Sequence, residues 1–191
     1  MTLTRAARRI CLFGGSFDPP HVCHTLAAVW ALQTLPIDEL WWVLAAEHAF
    51  GKNLRPWGDR LAMVNATIQN FKPAMQVSEI EHELGGVSRT IDTVRALMKR
   101  FPKAEFSLLV GSDIVEEIDK WKEAEALRSL VTIHVIGRDG YAAAGGSDLR
   151  LPNVSSTALR NAFREHDEAF YRPRLALPVL QLIEQNGWYR T

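Results

Sequence analysis

The chain has 191 residues and 21.5 kDa, with 47% hydrophobic and 23% charged residues, which fits one globular domain with a full core. Its 22 Lys+Arg balance 22 Asp+Glu. A nucleic-acid backbone or an anionic membrane favours a basic excess, so neither is expected as the main partner, whereas a small anion held by a few local cations stays open.

Cys11 and Cys23 are too few for a disulfide framework or a zinc site. No apolar run approaches the roughly 20 residues of a membrane span. The run at 10–13, behind Arg5, Arg8 and Arg9, is far shorter than the core of a signal peptide. The expectation is a soluble, cytoplasmic protein, with a homo-oligomer left open.

Residues 9–13 read as a short buried strand that runs into Gly14-Gly15, and Pro19-Pro20 opens a helix over 21–35. A second strand, rich in Trp and Val, is expected at 39–45. Leu61, Val64, Ile68 and Phe71 recur at three- and four-residue steps, which marks an amphipathic helix within 56–71. A short strand at 76–80 and a helix at 90–101 follow. A strand at 105–110, a broken helical stretch at 114–130 and a strand at 131–137 come next. Residues 138–152, with Gly140, Gly145 and Gly146, read as a loop. Two closing helices are expected at 156–166 and 177–186, the second stopped by Gly187.

This alternation predicts an α/β fold of Rossmann-like type. A mostly parallel twisted sheet is flanked by helices and joined by right-handed crossovers. Residues 1–191 read as one domain, with 152–191 as a small C-terminal helical part. Such sheets bind ligands beyond the carboxyl ends of their strands, where strand order switches.

The first chemical constellation is Gly14-Gly15-Ser16-Phe17-Asp18-Pro19-Pro20-His21-Val22-Cys23-His24. A strand, two glycines and a helix start together make an anion site, because free backbone N–H groups and the helix N-terminus face the same way. His21 and His24, three apart in the first turn, share a face and can donate to one phosphate. The plain alternative is a strand-to-helix turn with two solvated histidines.

Three further segments sit where ligands are expected. Ser155, Ser156 and Thr157 open a helix with Arg160 one turn in, which suits an anion or, equally, an ordinary capped helix. Ser88 is expected to cap a helix whose first turn holds Thr90 and Asp92. That leaves amides free for a carboxylate, although an ordinary cap explains the residues as well. Gly111, Ser112 and Asp113 end a strand, at the usual place of a nucleotide or of a capped turn.

Taken in order, these motifs resemble the nucleotidyltransferase superfamily, whose mark is a His-x-Gly-His or Thr-x-Gly-His motif after the first strand. The longer string from Gly14 to His21 looks like bacterial nicotinate-nucleotide adenylyltransferases. So do Ser88-Arg89-Thr90-Ile91-Asp92-Thr93, Gly111-Ser112-Asp113 followed by Trp121, Val154 to Arg160, and Gly187-Trp188-Tyr189. The resemblance covers nearly the whole chain.

It implies adenylyl transfer from ATP to nicotinate mononucleotide, giving deamido-NAD and pyrophosphate. His21 and His24 would hold phosphate oxygens, and Lys52 and Arg160 would neutralise the departing pyrophosphate. Gly14, Gly15, Ser16 and Phe17 would lie against ATP. So would Gly111, Ser112 and Asp113 on its adenosine side, and Ser155, Ser156 and Thr157 on its phosphates. Ser88, Arg89, Thr90, Asp92 and Trp121 would take nicotinate mononucleotide, Trp121 by stacking on the pyridine ring. Mg2+ would arrive with the ATP phosphates, since no acidic cluster suggests a metal cage of protein side chains.

Three positions depart from the pattern. Cys23 replaces the motif glycine, where a side chain would narrow the nucleotide pocket. His48 and Lys52 are separated by three residues where the family has adjacent His-Lys, with Arg55 as a competing cation. Arg89 replaces a tyrosine and is expected to pair with the nicotinate carboxylate or to cover the ring edge. The alternatives are another phosphorylated acceptor, such as nicotinamide mononucleotide, or a nucleotide sensor without turnover.

Overall fold

The structure is a computed structural model, and it describes residues 7–47, 54–87, 89–140, 147 and 149–190. Chain order gives β1 (Arg8–Gly15), α1 (Val22–Thr34), β2 (Glu39–Leu44), α2 (Trp57–Ile68) and β3 (Met75–Ser78). Then follow α3 (Ile80–Leu84), α4 (Thr90–Arg100), β4 (Ala104–Gly111), α5 (Ala124–Leu130) and β5 (Thr132–Arg138). The chain closes with β6 (Arg150–Leu151), α6 (Ser156–Arg164), α7 (Glu168–Tyr171) and α8 (Leu177–Asn186).

The six strands form one sheet in the order β3-β2-β1-β4-β5-β6, and every pairing is parallel. From β1 the chain winds outward through β2 and β3, then returns to β4 and winds the other way. The switch therefore lies between β1 and β4, where Leu12 is level with Trp41 on one side and Leu108 on the other.

The central strands are apolar at successive positions because both faces are covered. Cys11 and Phe13 point into one core with Ala27 and Ala31 of α1, Met63 and Val64 of α2, and Leu159, Phe163, Val179 and Ile183 of the C-terminal helices. Ile10 and Leu12 point into the other, with Ile91, Val94 and Leu97 of α4 and Leu127 of α5. Among the described residues, no helix is long and apolar enough to cross a membrane.

Three expectations are corrected. The strand read at 76–80 is Met75–Ser78, and Ile80 instead starts α3, which Gly85 ends with φ +68°. Ile80 is apolar because it fills the second core from a helix, a placement that short apolar runs do not distinguish from a strand. Within the loop read at 138–152, Arg150 and Leu151 pair with Gly137 and Arg138 as an edge strand. Residues 141–146 and 148 of that loop lie outside the described residues. A short helix, α7, occupies the gap between the two predicted closing helices, capped by the Asp167 carboxylate, which accepts the Phe170 N–H at 3.0 Å. Gly187 does end α8, at φ +63°.

Candidate active site

The turn between β1 and α1 leaves the sheet beside the strand-order switch. Phe17 adopts φ +49° there, and its buried ring folds back over Gly15. A Cβ on Gly15 would meet that ring at 2.9 Å, so glycine is required by a neighbour within the protein. Gly14 has open space where a side chain would stand, and its edge borders a cavity.

His21 occupies the position before α1, and its backbone N–H donates to His24 Nδ1 at 3.1 Å. That bond makes Nδ1 an acceptor, so the proton of neutral His24 sits on Nε2. The two imidazoles lie 3.8 Å apart at 32°, and the His24 ring packs edge-on against Phe17 at 5.1 Å. His21 Nδ1 is buried with no hydrogen-bond partner. Burial, aided by the Arg138 guanidinium, pushes His21 down to about 3. Burial first, then His21 and Arg138, hold His24 well below the ordinary imidazole range. Both rings are therefore neutral at neutral pH, one with a fixed N–H and one with an unanswered nitrogen.

The amino end of α6 docks on the same turn. Ser155 accepts the Ala158 N–H at 3.1 Å as an ordinary cap, and Ser156 Oγ donates to the Pro19 carbonyl at 2.9 Å. The Ser156 O–H is thus committed to a protein carbonyl, while Ser155, which accepts as a cap, keeps its own O–H to donate. Arg160 Nη1 donates to the Asp18 carbonyl at 2.7 Å and Nη2 to Thr157 Oγ1 at 3.1 Å, leaving other guanidinium N–H groups of this half-buried side chain.

At the far side of the switch, Ser112 and Asp113 hold an arginine that sequence reading passed over. Arg138, the last residue of β5, pairs with Asp113 and donates from its backbone to Ser112 Oγ at 2.9 Å. Its Nη2 also donates to the Val154 carbonyl at 3.0 Å. The only signal for it was its place at the end of a strand. Asp113 Oδ1 lies so close to Gly111 that a Cβ there would stand 2.3 Å from it.

Two more residues were missed. Arg60 is 1% exposed, and its guanidinium donates to the carbonyls of Arg55, Ser16 and Ala45 at 2.9, 3.0 and 2.8 Å, tying the turn to the end of β2. Asp18, also 1% exposed, accepts the Arg55 N–H at 3.2 Å and the Tyr189 hydroxyl.

A cavity of about 450 Å³ opens above the switch, bordered by Gly14, Gly15 and Ser16 on one side and by Arg89, Thr90, Gly111 and Trp121 on the other. The two imidazoles do not line it; they sit on the α1 side of the turn. Arg89, not Ser88, precedes the first residue of α4, and its side chain makes no cap bond. Asp92 does not line this cavity but pairs in the open with Lys122, which does, at 2.9 Å. Ser88, His48 and Lys52 lie outside the described residues. Arg55 is occupied, paired with Asp59 at 2.8 Å and stacked 4.6 Å over Trp188. Cys23 is buried, its Sγ 3.5 Å from the Pro152 carbonyl, and burial raises its thiol pKa, the opposite of an activated thiolate.

Residues 12–162 match the model of the Cytidylyltransferase-like family. A protein of Anaeromyxobacter dehalogenans strain 2CP-1, named as a nicotinate-nucleotide adenylyltransferase, is 37% identical over 186 residues, covering 96% of this chain and 97% of that one. One of the same name from Gemmatimonas aurantiaca is 41% identical over 198 residues, covering 95% and 92%. Among solved structures, the Plasmodium falciparum nicotinic acid mononucleotide adenylyltransferase complexed with NaAD superposes with a TM-score of 0.84 at 21% identity, over 95% of this chain and 97% of that one, which speaks for the fold. The chain belongs to the Cytidylyltransferase-like family and, within it, to the nicotinate-nucleotide adenylyltransferases.

Proposed function

We infer that this chain transfers the adenylyl group of ATP to nicotinate mononucleotide, releasing pyrophosphate and giving nicotinic acid adenine dinucleotide. One observation carries the reading: a single turn, 14–24, borders an open cavity with its glycines, holds two neutral imidazoles, and is met by Arg160 from α6.

The acceptor phosphate oxygen attacks the α-phosphorus in line, and the bond to the β-phosphate oxygen breaks. Both reactants are anions, so the protein's work is to align them and to meet the charge that develops on the bridging oxygens. His24 offers its Nε2–H, and His21 sets a second imidazole 3.8 Å beside it. As phosphate oxygens approach, the imidazolium form of each ring becomes favourable, so bound ATP raises both pKa values from their depressed state. Arg160, seated by the Asp18 carbonyl, and Lys52 take the charge of pyrophosphate.

Arg89 and Trp121 suit the nicotinate side, the first by pairing with the carboxylate and the second by stacking on the ring, with Thr90 at the α4 amino end. Ser112 and Asp113 act on the adenosine side by holding Arg138. Mg2+ belongs to this reading only as a companion of the ATP phosphates. Among the described residues no group of three or more His, Cys, Asp or Glu side chains is arranged to hold a metal, and no step here depends on it.

The test is pyrophosphate release from ATP with nicotinate mononucleotide, with nicotinamide mononucleotide, or with no acceptor. Turnover with the nicotinate compound at least tenfold above the other arms is expected. Equal or better turnover with the nicotinamide compound would move the acceptor. ATP binding without turnover on any acceptor would leave only a sensor.

A further inference from the structure

The carboxyl end of the chain reaches back to the phosphate turn. Tyr189 is 7% exposed, and its hydroxyl donates to Asp18 Oδ1 across 171 positions of sequence. Asp18 Oδ2 accepts the Arg55 N–H, and the Arg55 guanidinium lies 4.6 Å above Trp188 and 5.5 Å above Tyr189. Tyr189 does this at φ +65°, in the left-handed region that bulky side chains seldom adopt.

A buried carboxylate and a buried hydroxyl both lose water, and a packed apolar pair in the same volume would avoid that cost. Their bond does something an apolar pair does not: it fixes the Asp18 peptide. The Asp18 carbonyl is the seat of Arg160 Nη1, and the next carbonyl, that of Pro19, receives the Ser156 hydroxyl. Three residues after Asp18 stands His21. Rotation of this one peptide would unseat Arg160 and tilt the start of α1 together.

We propose that Tyr189 is a positioning residue for ATP: its hydroxyl, acting through the Asp18 carboxylate, holds the peptide that aims Arg160 and the first turn of α1 at the triphosphate. The proposal rests on the ATP-dependent reading above. It does not involve the acceptor, whose side of the cavity is built by α4 and Trp121.

The experiment compares the full wild-type chain with Tyr189→Phe, using ATP affinity by titration calorimetry without acceptor, the KM of each substrate, and thermal unfolding. Loss of a hydrogen bond to a charged group predicts an ATP Kd and KM raised about tenfold. The KM for nicotinate mononucleotide should stay within about twofold, because the phenylalanine ring keeps the packing. A purely structural contact would lower the unfolding temperature and leave this split unmoved. An ATP Kd within twofold of wild type, whatever the unfolding temperature, overturns the proposal. If the phenylalanine variant does not fold, Asp18→Ala decides: it removes the acceptor of the Tyr189 hydroxyl. Weaker ATP binding supports the proposal and unchanged binding overturns it. Calorimetry without acceptor separates this outcome from a failure of the acceptor assignment, which shows only in turnover by the wild-type chain.

Discussion

Acid should unfold this protein through its histidines before its carboxylates. His21 is held neutral by burial, with a pKa of about 3 in the folded chain. An unfolded histidine titrates near 6.5, so between about pH 6.5 and 3 the unfolded chain binds a proton that the folded chain refuses. The sign follows: the contribution is fully present above the unfolded value and is lost as pH falls toward the folded one. At about pH 5 the unfolded imidazole is nearly all protonated and the folded one nearly all neutral, a loss of about 2 kcal/mol from His21 alone. That is on the order of a thirtyfold rise in the unfolding constant. His24, whose pKa is lowered in the same direction, adds to it. The assay is urea unfolding followed by circular dichroism at neutral pH and near pH 5, on the wild type and on His21→Gln, which cannot titrate. The wild type should lose about 2 kcal/mol more than the variant across that interval. Equal losses in the two proteins would show that His21 takes up its proton freely in the folded state, and the description of a buried neutral pair would fail.

Three further outcomes are expected. His24→Ala should lower kcat by about 10²–10³, the usual cost of one preorganised donor, and a fall below about tenfold in a folded variant would remove His24 from the reaction. Arg89→Ala should raise the KM for nicotinate mononucleotide and leave that for ATP alone; an unchanged acceptor KM would discard the carboxylate pairing. Cys23→Gly should cost about 1–2 kcal/mol in stability, from helix propensity and the loss of a buried side chain, with no gain in ATP affinity. A tighter ATP complex would show that the thiol does crowd the nucleotide.

The frame of the site was legible because it depends on local features. Apolar strands ending in Gly14-Gly15 and in Gly111, and helices starting at Val22, Thr90 and Ser156, place the ligand-facing ends by pattern alone. The parts that escaped depend on tertiary contact. Arg60 falls in an amphipathic helix and looks like one more surface cation, yet it turns inward to four backbone carbonyls. Arg138 was read as the start of a loop, and only the arrival of Asp113 and Val154 makes it part of the site. Ser155 and Ser156 carry the right chemistry for an anion, but the β1–α1 turn takes the O–H of Ser156, while Ser155 accepts as a helix cap and keeps its own O–H. Two nearby histidines suggest a pair of donors, whereas the enclosure that keeps them neutral combines the Phe17 ring of the same turn with Trp42 of β2 and Arg138 of β5.

The outer margins of the sheet carry a consequence for how copies of this chain meet. One border strand, Met75–Ser78, has four residues, and the other, Arg150–Leu151, has two. The Met75–Ser78 stub exposes too few unpaired amides and carbonyls to recruit a foreign strand, so cross-molecule sheet growth is blunted at that rim, whereas β6 covers only Gly137 and Arg138 and leaves β5 itself as the sheet edge over 132–136. At the Met75–Ser78 rim, association between copies is therefore left to helical and loop surfaces, where side-chain complementarity decides the partner.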